Sequence, residues 1–380
     1  MTHLYDKIVH ATINPCQDER RIFSEALTAA RNGYRVEIFA LKIPDIEETT
    51  VLSDIIIQRI PVKYWRGGPL KFITFNWKLF WKLLGEDFSI LHVHDLWVLP
   101  ATAVVSIFKK CKLVYDSHEF ARGLEIFQQK HLSGKVWALT EKLLIKRVDV
   151  VLTINSYHKQ LFLETYPRIP EPEVIMNFPS RRSILNYNNL PKFQGRRNIV
   201  LYQGIFKNHR GLKQLIKAMV NVNSGSLELI GSGEIENSLR ELVKILGIND
   251  KVIFRGRINW DQLLTQSSNA KAGLVLFEPV GLNYQYASPN KFFEYVMAGT
   301  PVIVSNIIPF QDFISSYEVG ILVDLASEDS ITLAIEKLLT DEKNWLKYHQ
   351  NCLKAREVWN WELQEQKLID LYLINTENKE

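Results

Sequence analysis

The feature that most constrains the fold is a repeated alternation between short apolar runs and amphipathic helical patterns. In the first half of the chain, helical patterns separate five runs rich in valine, isoleucine and leucine, at residues 7–13, 35–40, 90–93, 112–115 and 150–154. A second series of the same kind extends from residue 198 to residue 323. Such alternation is typical of parallel sheets covered by helices on both faces. The sequence therefore predicts two doubly wound α/β domains.

A polar, basic and turn-rich stretch at residues 179–197 interrupts the alternation and is predicted to be a linker. We expect one doubly wound domain over residues 1–178 and a second over residues 198–356, with a cleft between them. Aromatic and amphipathic residues follow the second series, so we predict that a C-terminal helix within residues 357–380 packs back on the first domain. Ligands of doubly wound sheets bind beyond the carboxyl ends of the strands, near helix N-termini.

Composition excludes several classes of protein. The 380 residues contain 46 Lys and Arg against 42 Asp and Glu, and this excess is too small to indicate a nucleic-acid partner. Three widely separated cysteines form neither a disulfide framework nor a zinc site, which favours a reducing compartment. The sequence has no run of about eighteen apolar residues and no signal-peptide core near its N-terminus. We therefore expect a cytoplasmic globular protein.

The stretch "YQGIFKNHRGLKQLI" places a basic loop between a predicted strand and a predicted helix. The strand ends before Gly204, and the loop and first helical turn carry Lys207, Arg210 and Lys213. Cations beside the N–H groups of a helix start suit a diphosphate group. A solvated basic loop without a ligand accounts for the same residues equally well. The nearby "LIGSGEIENSL" lacks the third glycine of a dinucleotide fingerprint and is predicted to form a tight strand-to-helix turn.

The stretch "SPNKFFEYVMAGTPVIVSN" combines a turn, a helix and a strand. Ser288, Asn290 and Lys291 lie at the predicted start of the helix, and Glu294 follows one turn later on the same side. A carboxylate in that position can accept hydrogen bonds from a vicinal diol such as a ribose. The alternative is an acid that only stabilises the helix dipole.

Histidines and acids follow two predicted strands of the first domain, in "VHDLW" and "VYDSHEF". His94 ends one of these strands, and His118 and Glu119 end the next. Metal ligation, acid–base chemistry and hydrogen bonding to a polar substrate all fit these residue types. A purely structural role remains open for any one of the histidines.

Taken together, the order and spacing of these blocks resemble the retaining glycosyltransferases of family 4 over nearly the whole chain. The resemblance implies a GT-B fold, in which two Rossmann-like domains with doubly wound parallel sheets face a cleft and the C-terminal helix crosses back to the first. It also implies that the N-terminal domain binds the acceptor and the C-terminal domain binds a sugar nucleotide.

The resemblance assigns roles to particular residues. Glu294 is expected to hold ribose hydroxyls, Arg210 to neutralise the leaving phosphate, and His118 to lie beside the transferred sugar. The amides at the turn of residues 288–291 are expected to hold the diphosphate. The resemblance further predicts a set of substrate-binding residues: Gly204, Lys207, Lys213, Arg257, Tyr286, Ser288, Asn290, Lys291, His94 and Glu119.

The chain departs from the family pattern at three places. Tyr286 stands where many relatives have the first of two glutamates, and Ile205 stands where an arginine usually follows the glycine. Residues 14–18 replace a glycine-rich loop that often contacts the donor. The nucleotide and phosphate roles are therefore carried over more directly than the roles that involve the sugar.

The function implied by the resemblance is transfer of a sugar from a nucleoside diphosphate sugar, a UDP-sugar above all, to a glycan or lipid-linked hydroxyl with retained configuration. No Asp-x-Asp pair follows a predicted strand, so we expect neither a metal nor a cofactor. Two alternatives stay open because the first glutamate is missing. They are a non-catalytic subunit that binds a sugar nucleotide or glycan, and a sugar-nucleotide epimerase.

Residues 61–85 combine five basic residues with seven aromatic ones and contain no acid before Gly85. On a helix, Lys71, Lys78 and Lys82 share a face beside aromatic rings, which suits the surface of an anionic membrane. The alternative is an ordinary Rossmann helix that packs its aromatic residues on the sheet. The sequence therefore leads to the hypothesis that the protein contacts the inner face of a membrane peripherally.

Overall fold

The computed structural model describes residues 6–17, 19–63, 65–124, 127, 132–184 and 189–373. The chain divides into two compact units. The first unit consists of Met1–Asn177 and Gln364–Glu380, and the second consists of Phe178–Leu363. Each unit contains one sheet with helices on both faces, which confirms the predicted fold class.

The sheet of the first unit has eight strands, namely β1 (Lys7–Ala11), β2 (Arg35–Lys42), β3 (Thr49–Leu52), β4 (Ile55–Pro61), β5 (Ile90–His94), β6 (Lys112–Ser117), β7 (Val150–Thr153) and β8 (Glu173–Val174). Their order in the sheet is β3-β4-β2-β1-β5-β6-β7-β8. All neighbours are parallel except β3 and β4, which form an antiparallel pair. The sequence pattern did not predict β3, β4 or β8, because they lie between polar segments and the last has only two residues.

The helices that follow these strands are α1 (Arg20–Arg31), α2 (Pro69–Leu84), α3 (Leu99–Lys109), α4 (Leu132–Leu144) and α5 (Ser156–Thr165). Right-handed crossover connections place α1 on one face of the sheet and α2, α3 and α4 on the other. Within the described ranges, no helix combines the length and the apolar character needed to cross a bilayer.

The C-terminal helix, Trp361–Leu373, completes the first unit, as the sequence predicts. The hydroxyl of Tyr372 lies 2.6 Å from Nδ1 of His92 on β5. Lys112 at the start of β6 donates hydrogen bonds to backbone carbonyls at the end of this helix. Buried polar contacts therefore attach this helix to a sheet whose first strand begins at Lys7.

The sheet of the second unit is entirely parallel and has the order β11-β10-β9-β12-β13-β14. Its strands are β9 (Arg197–Gln203), β10 (Ser226–Ile230), β11 (Val252–Gly256), β12 (Ala270–Val275), β13 (Val302–Ser305) and β14 (Gly320–Val323). Its helices are α6 (Leu212–Ala218), α7 (Glu236–Ile245), α8 (Trp260–Asn269), α9 (Leu282–Gln285), α10 (Asn290–Met297), α11 (Ile308–Tyr317), α12 (Glu328–Thr340) and α13 (Glu342–Ala355).

Each sheet has one place where the direction of winding reverses. In the first unit the reversal lies between β1 and β5, and in the second it lies between β9 and β12. The loops after two such strands diverge, which leaves a crevice at their carboxyl ends where doubly wound proteins bind ligands. Functional residues are therefore expected at these two edges.

Residues 189–197, at the end of the predicted linker, pack against the second unit. The ring of Phe193 lies 5.6 Å from that of Trp345 in the hydrophobic core. Arg196 is buried, and its guanidinium lies 4.9 Å above the Trp345 ring. Burial lowers the pKa of Arg196 to about 9. Its hydrogen bonds go to the carbonyls of Pro191, Ala270, Ala298 and Gly299 and to Oγ1 of Thr300.

We expect Arg196→Met to destabilise the second unit by about 3 kcal/mol, because several buried carbonyls after α10 lose their donor. Urea unfolding followed by tryptophan fluorescence measures the change. The exposed Lys192→Met is the matched control and should unfold at the wild-type urea concentration. Equal midpoints for Arg196→Met and wild type would contradict this role of Arg196.

Candidate functional site

In the second unit, the loop after β9 lies at the reversal point and is attached to the loop after β10. The N–H of Gly204 donates to the carbonyl of Ile230 at 2.9 Å, and the N–H of Phe206 donates to the carbonyl of Ser232 at 2.9 Å. These backbone hydrogen bonds fix the loop that the sequence predicts as an anion site.

Two glycines allow this close approach. A Cβ on Gly231 would lie 1.9 Å from the carbonyl oxygen of Gly204, and one on Gly233 would lie 2.1 Å from that of Phe206. Both distances are far below any normal contact. The predicted tight turn at Gly231 and Gly233 therefore also shapes the neighbouring loop, which the sequence alone did not indicate.

Arg210 and Lys291 lie over aromatic rings at the same edge of the sheet. The guanidinium of Arg210 is 4.4 Å from the ring centre of Phe277 and 5.4 Å from that of Tyr284. Nζ of Lys291 is 3.7 Å from the ring centre of Tyr202. In the described part of the chain neither cation forms an ion pair, and Nε of Arg210 is buried without a hydrogen-bond partner.

The charge of Lys291 is unfavourable in this position. Its side chain is only 9% exposed. Burial, followed by the positive charge of Arg210, lowers the pKa of Lys291 well below its ordinary value. An anion bound here would oppose both effects, because it would restore favourable interactions to the charged ammonium group. The cation pair is therefore suited to a phosphate group.

Glu294 lies one turn beyond Lys291 on α10 and is buried. Nε2 of Gln203, the last residue of β9, donates a hydrogen bond to Oε2 of Glu294. Oε1 of Gln203 in turn accepts a hydrogen bond of 3.0 Å from Oγ of Ser267. These two hydrogen bonds hold the Glu294 carboxylate in place. Gln203 was not predicted as a site residue, although its position directly before the loop glycine Gly204 could have indicated it.

The remaining predicted residues of the second unit differ in exposure. Lys207, Lys213 and Asn290 are exposed, and Ser288 and Tyr286 are half-buried. The exposed Arg257 donates a hydrogen bond of 2.6 Å to Oγ of Ser232. The structure therefore brings together Gly204, Arg210, Lys291 and Glu294, while Lys207, Lys213 and Arg257 extend into solvent.

In the first unit, a buried ion pair supports the turn after β6. Nε and Nη2 of Arg21, on α1, donate hydrogen bonds of 2.7 and 2.6 Å to the two carboxylate oxygens of Asp116. Burial alone would raise the pKa of Asp116, but the charges of Arg21 and His118 outweigh burial and hold it well below its usual range. Asp116 is therefore ionised at neutral pH.

His118 lies between two carboxylates. Its Nε2 is 3.0 Å from Oδ2 of Asp116, and its Nδ1 is 3.8 Å from Oδ2 of Asp95. Burial lowers the pKa of His118, but Asp95 and Asp116 together raise it to about 9. The imidazole is accordingly charged at neutral pH, and its side chain is 20% exposed.

The sequence predicts that His94 binds substrate, but its side chain is fully buried. Its Nδ1 lies 3.1 Å from Nε2 of His118, and its Nε2 lies 2.9 Å from Nδ1 of His10. In this structure His94 therefore contacts other side chains rather than the surface. Glu119 is exposed.

Four buried side chains, His10, Glu25, His92 and His94, bring possible metal-ligating atoms within 4.8 Å of one another. The three rings are stacked, with centroids 4.6–5.2 Å apart and interplanar angles of 12–24°. An imidazole lone pair lies in the plane of its ring, so nearly parallel rings do not direct their nitrogens at one ion. Burial, followed by the charge of Asp116, raises the pKa of Glu25 to about 8, which favours a proton there.

Family comparisons cover most of the chain. Residues 19–178 match the family model described as Glycosyltransferase Family 4. Residues 187–356 match the family model described as Glycosyl transferases group 1.

Individual relatives are distant in sequence. An uncharacterized glycosyltransferase of Methanocaldococcus jannaschii is 26% identical over 91% of each chain. A GDP-mannose-dependent alpha-(1-6)-phosphatidylinositol monomannoside mannosyltransferase of Mycobacterium tuberculosis is 24% identical over 58% of this chain and 61% of its own. The solved structure described as trehalose-6-phosphate from E. coli bound with UDP-2-fluoro glucose has a TM-score of 0.75 at 12% identity, covering 97% of this chain and all of the other. That likeness concerns the fold alone.

A diphosphate bound beside Lys291 would raise the pKa that burial and Arg210 lower, so we expect such a ligand, with UDP as the probe, to take up a proton on binding. Uptake occurs at pH values between the pKa of Lys291 in the free protein and its pKa in the complex. Calorimetry at several alkaline pH values, where the phosphates are already ionised, in buffers of different ionisation enthalpy measures it.

Lys291→Met should abolish the dependence of the binding heat on the buffer and weaken binding. The exposed Lys207→Met is the comparison and should keep the proton uptake. A binding heat that is the same in every buffer for the wild-type protein would contradict the assignment of Lys291.

Proposed function

The chain belongs to the group 1 glycosyltransferases of family 4, and from this premise we propose that it transfers a sugar from a UDP-sugar to a hydroxyl group with retention of configuration. The observation that carries the proposal is the arrangement of Arg210, Lys291 and Glu294 at the reversal point of the second sheet. Two cations without ion-pair partners in the described part of the chain lie over aromatic rings at this edge, and Lys291 is one helical turn from the buried carboxylate of Glu294.

The donor site requires groups for a diphosphate and for a ribose. We assign the diphosphate to Lys291, Arg210 and the first-turn N–H groups of α10, whose N-cap is Pro289 and offers no side-chain acceptor. We assign the ribose hydroxyls to Glu294. A structure of the same fold contains UDP-2-fluoro glucose, which makes UDP-sugars the first donors to test, and the mannosyltransferase relative makes GDP-mannose the competing donor.

The chemistry follows from the charge that develops on the leaving group. The bond from the anomeric carbon to the phosphate oxygen breaks, and its electron pair stays on the diphosphate. Arg210 and Lys291 stabilise that charge without rearranging, which is the most effective form of electrostatic catalysis. The acceptor oxygen attacks from the same face and passes its proton to the departing phosphate. This scheme uses neither a metal nor a protein base, and His118 positions the sugar.

One observation keeps a second function in view. Tyr286, a half-buried residue, occupies the position of the first glutamate of many relatives. A subunit that binds sugar nucleotides without transferring the sugar, or an epimerase, would tolerate that change. Release of UDP only when an acceptor is present supports transfer, release without an acceptor supports hydrolysis or epimerase chemistry, and binding without release supports the subunit.

We expect Arg210→Ala to lower turnover about 10²- to 10³-fold, because the guanidinium acts mainly when the bond breaks. Glu294→Ala should instead weaken donor binding by about 1.5–3 kcal/mol, because it removes a charged acceptor from the ribose. Steady-state kinetics with the donor found by a thermal-shift screen of nucleotide sugars, together with calorimetry, separate the two effects.

EDTA should leave the wild-type rate unchanged. Lys213→Ala is the control for Arg210→Ala, because it removes an exposed lysine three residues further along the chain. Wild-type turnover in Arg210→Ala would assign the phosphate to another cation. Unchanged donor affinity in Glu294→Ala would remove the ribose assignment.

We further propose that the first unit contacts an anionic membrane through α2. One face of this helix packs on the sheet through Phe75, Leu79 and Leu83. A second face exposes apolar side chains at helical spacing, which we call the apolar face: Leu70, Ile73, Trp77 and Trp81. Trp77 and Trp81 are 63% and 56% exposed and contact each other edge to face. Packing on the sheet therefore explains one apolar face of α2 but not the second, exposed one.

The neighbouring helices extend this surface. α3 packs against both α2 and α4. Ile107 and Phe108 of α3 are exposed, and so is a row of residues on α4 at helical spacing, namely Leu132, Val136, Leu139 and Leu143. Exposed apolar surface over adjacent helices is unusual in a soluble protein. Lys78 and Lys82 flank it and supply attraction to anionic headgroups. A lipid-linked acceptor at the cytoplasmic face fits this surface.

We expect the protein to sediment with phosphatidylserine-containing vesicles at low salt and to dissociate at high salt. Trp77→Ser with Trp81→Ser should weaken binding because less apolar surface enters the interface. Lys71→Glu, Lys78→Glu and Lys82→Glu together should abolish it.

The matched control replaces three exposed lysines of the second unit, Lys244, Lys343 and Lys354, by Glu, which changes the net charge equally. If the control variant also fails to bind vesicles, the lysines of α2 act only through the net charge of the protein. Concentration-dependent self-association without vesicle binding would identify a second copy of the chain as the occupant.

A further inference from the structure

Asp95 occupies a backbone conformation that is otherwise almost confined to glycine. It is the first residue after β5, at the reversal point of the first sheet. Its φ and ψ angles are 65° and 163°. Residues other than glycine are strained in this region and occur there when the surrounding structure requires them, often at functional sites. The contacts of the Asp95 carboxylate therefore bear on function.

The described hydrogen bonds of Asp95 lead to the end of β6 and to the turn that follows it. Its N–H donates to the carbonyl of Asp116 at 2.9 Å, and its Oδ1 accepts a hydrogen bond of 3.1 Å from the N–H of His118. The strained backbone thus directs the carboxylate at both the backbone and the ring of His118. A glycine at position 95 could keep the first contact and would lose the others.

We propose that Asp95 is a positioning residue that holds the imidazole of His118 in one orientation and in its charged form. The inference rests on the proposed function, in which His118 lies beside the transferred sugar. Asp95 acts from the Nδ1 side of the ring and Asp116 from the Nε2 side. Asp95 itself is 34% exposed, so the pair lies at the surface of the unit rather than in its core.

Asp116 interacts with two cationic groups, His118 and Arg21. The groups that face the ring are Asp95, Asp116, Arg21 and His94, and Glu25 lies behind them on α1. Both oxygens of Asp116 already accept hydrogen bonds from Arg21, whose positive charge opposes a second cation. Arg21 donates no hydrogen bond to Asp95 within the described contacts, whereas it donates two to Asp116. Removal of Asp95 therefore takes away one of the two carboxylates that support the imidazolium and leaves the one that is paired with Arg21.

The first test uses a substitution that relieves strain. Asp95→Gly should raise the Tm by about 2–4 °C, because glycine adopts this conformation freely. The same variant should lower kcat about 10- to 100-fold, because His118 loses its orientation. Lys110→Gly is the matched control, since exposed Lys110 also has a positive φ, of 52°, in the same unit. It should raise the Tm and leave kcat unchanged.

The second test separates charge from shape. Asp95→Asn keeps an acceptor for the His118 N–H and removes the negative charge. Histidine-selective NMR, with His118→Gln to assign the signal, should show His118 titrating near pH 9 in the wild type and nearer its ordinary value of 6.5 in Asp95→Asn. The fall of kcat at high pH should move to lower pH by the same amount, while UDP affinity stays unchanged.

The Tm and the His118 titration need no substrate, so they test this inference independently of the transfer reaction. A lowered Tm in Asp95→Gly with normal turnover would make Asp95 a structural residue and overturn the proposal. So would an unchanged His118 titration in Asp95→Asn. Confirmed Tm and titration changes in a protein that transfers no sugar would leave the positioning intact and reject the proposed function instead.

Discussion

The reversal of winding direction in each sheet is the constraint on which the rest of the structure depends. Helices cover both faces of a parallel sheet, but at the reversal point the chain leaves two adjacent strands in opposite directions. In the first unit these strands end near Asp95, and in the second they end near Gly204 and Phe277. The strained backbone of Asp95, the cations Arg210 and Lys291, and the close contact between Gly231 and Gly204 lie at these two edges. Topology thus selects where chemistry can occur before any side chain is considered.

The two edges differ in how the charges of their side chains are compensated. In the second unit, Arg210 and Lys291 rest on aromatic rings, so their charges stay poorly compensated until an anion arrives. In the first unit, Arg21 and Asp116 form a buried pair whose contribution to stability is small once desolvation is counted. What such a pair supplies is a fixed geometry for its neighbours. One edge is therefore prepared for a charged ligand, and the other is prepared to hold its own side chains still.

The alternation of strands and helices was predictable because short runs of valine, isoleucine and leucine between helical patterns are typical of buried parallel strands. The prediction failed at β3 and β4, since residues 43–54 are mostly polar and only one face of β4 is fully buried. Helical spacing identified Glu294 and Lys291 but not Gln203, because contacts between distant elements have no local signal. His94 was predicted to face a substrate, and neighbouring strands bury it instead. The strain at Asp95 and the exposure of Trp77 depend on tertiary structure and could not be read from composition.

The C-terminal helix has a consequence for the order in which the protein is made. The chain leaves the first unit at Asn177, builds the whole second unit, and returns at Gln364. Tyr372 and the carbonyls near it contact His92 and Lys112 in the first sheet. During synthesis, the second unit is therefore complete while the first still lacks a packed element. The first unit leaves the ribosome first but is completed last, because His92 on β5 gains its contact with Tyr372 only after the helix Trp361–Leu373 has been made.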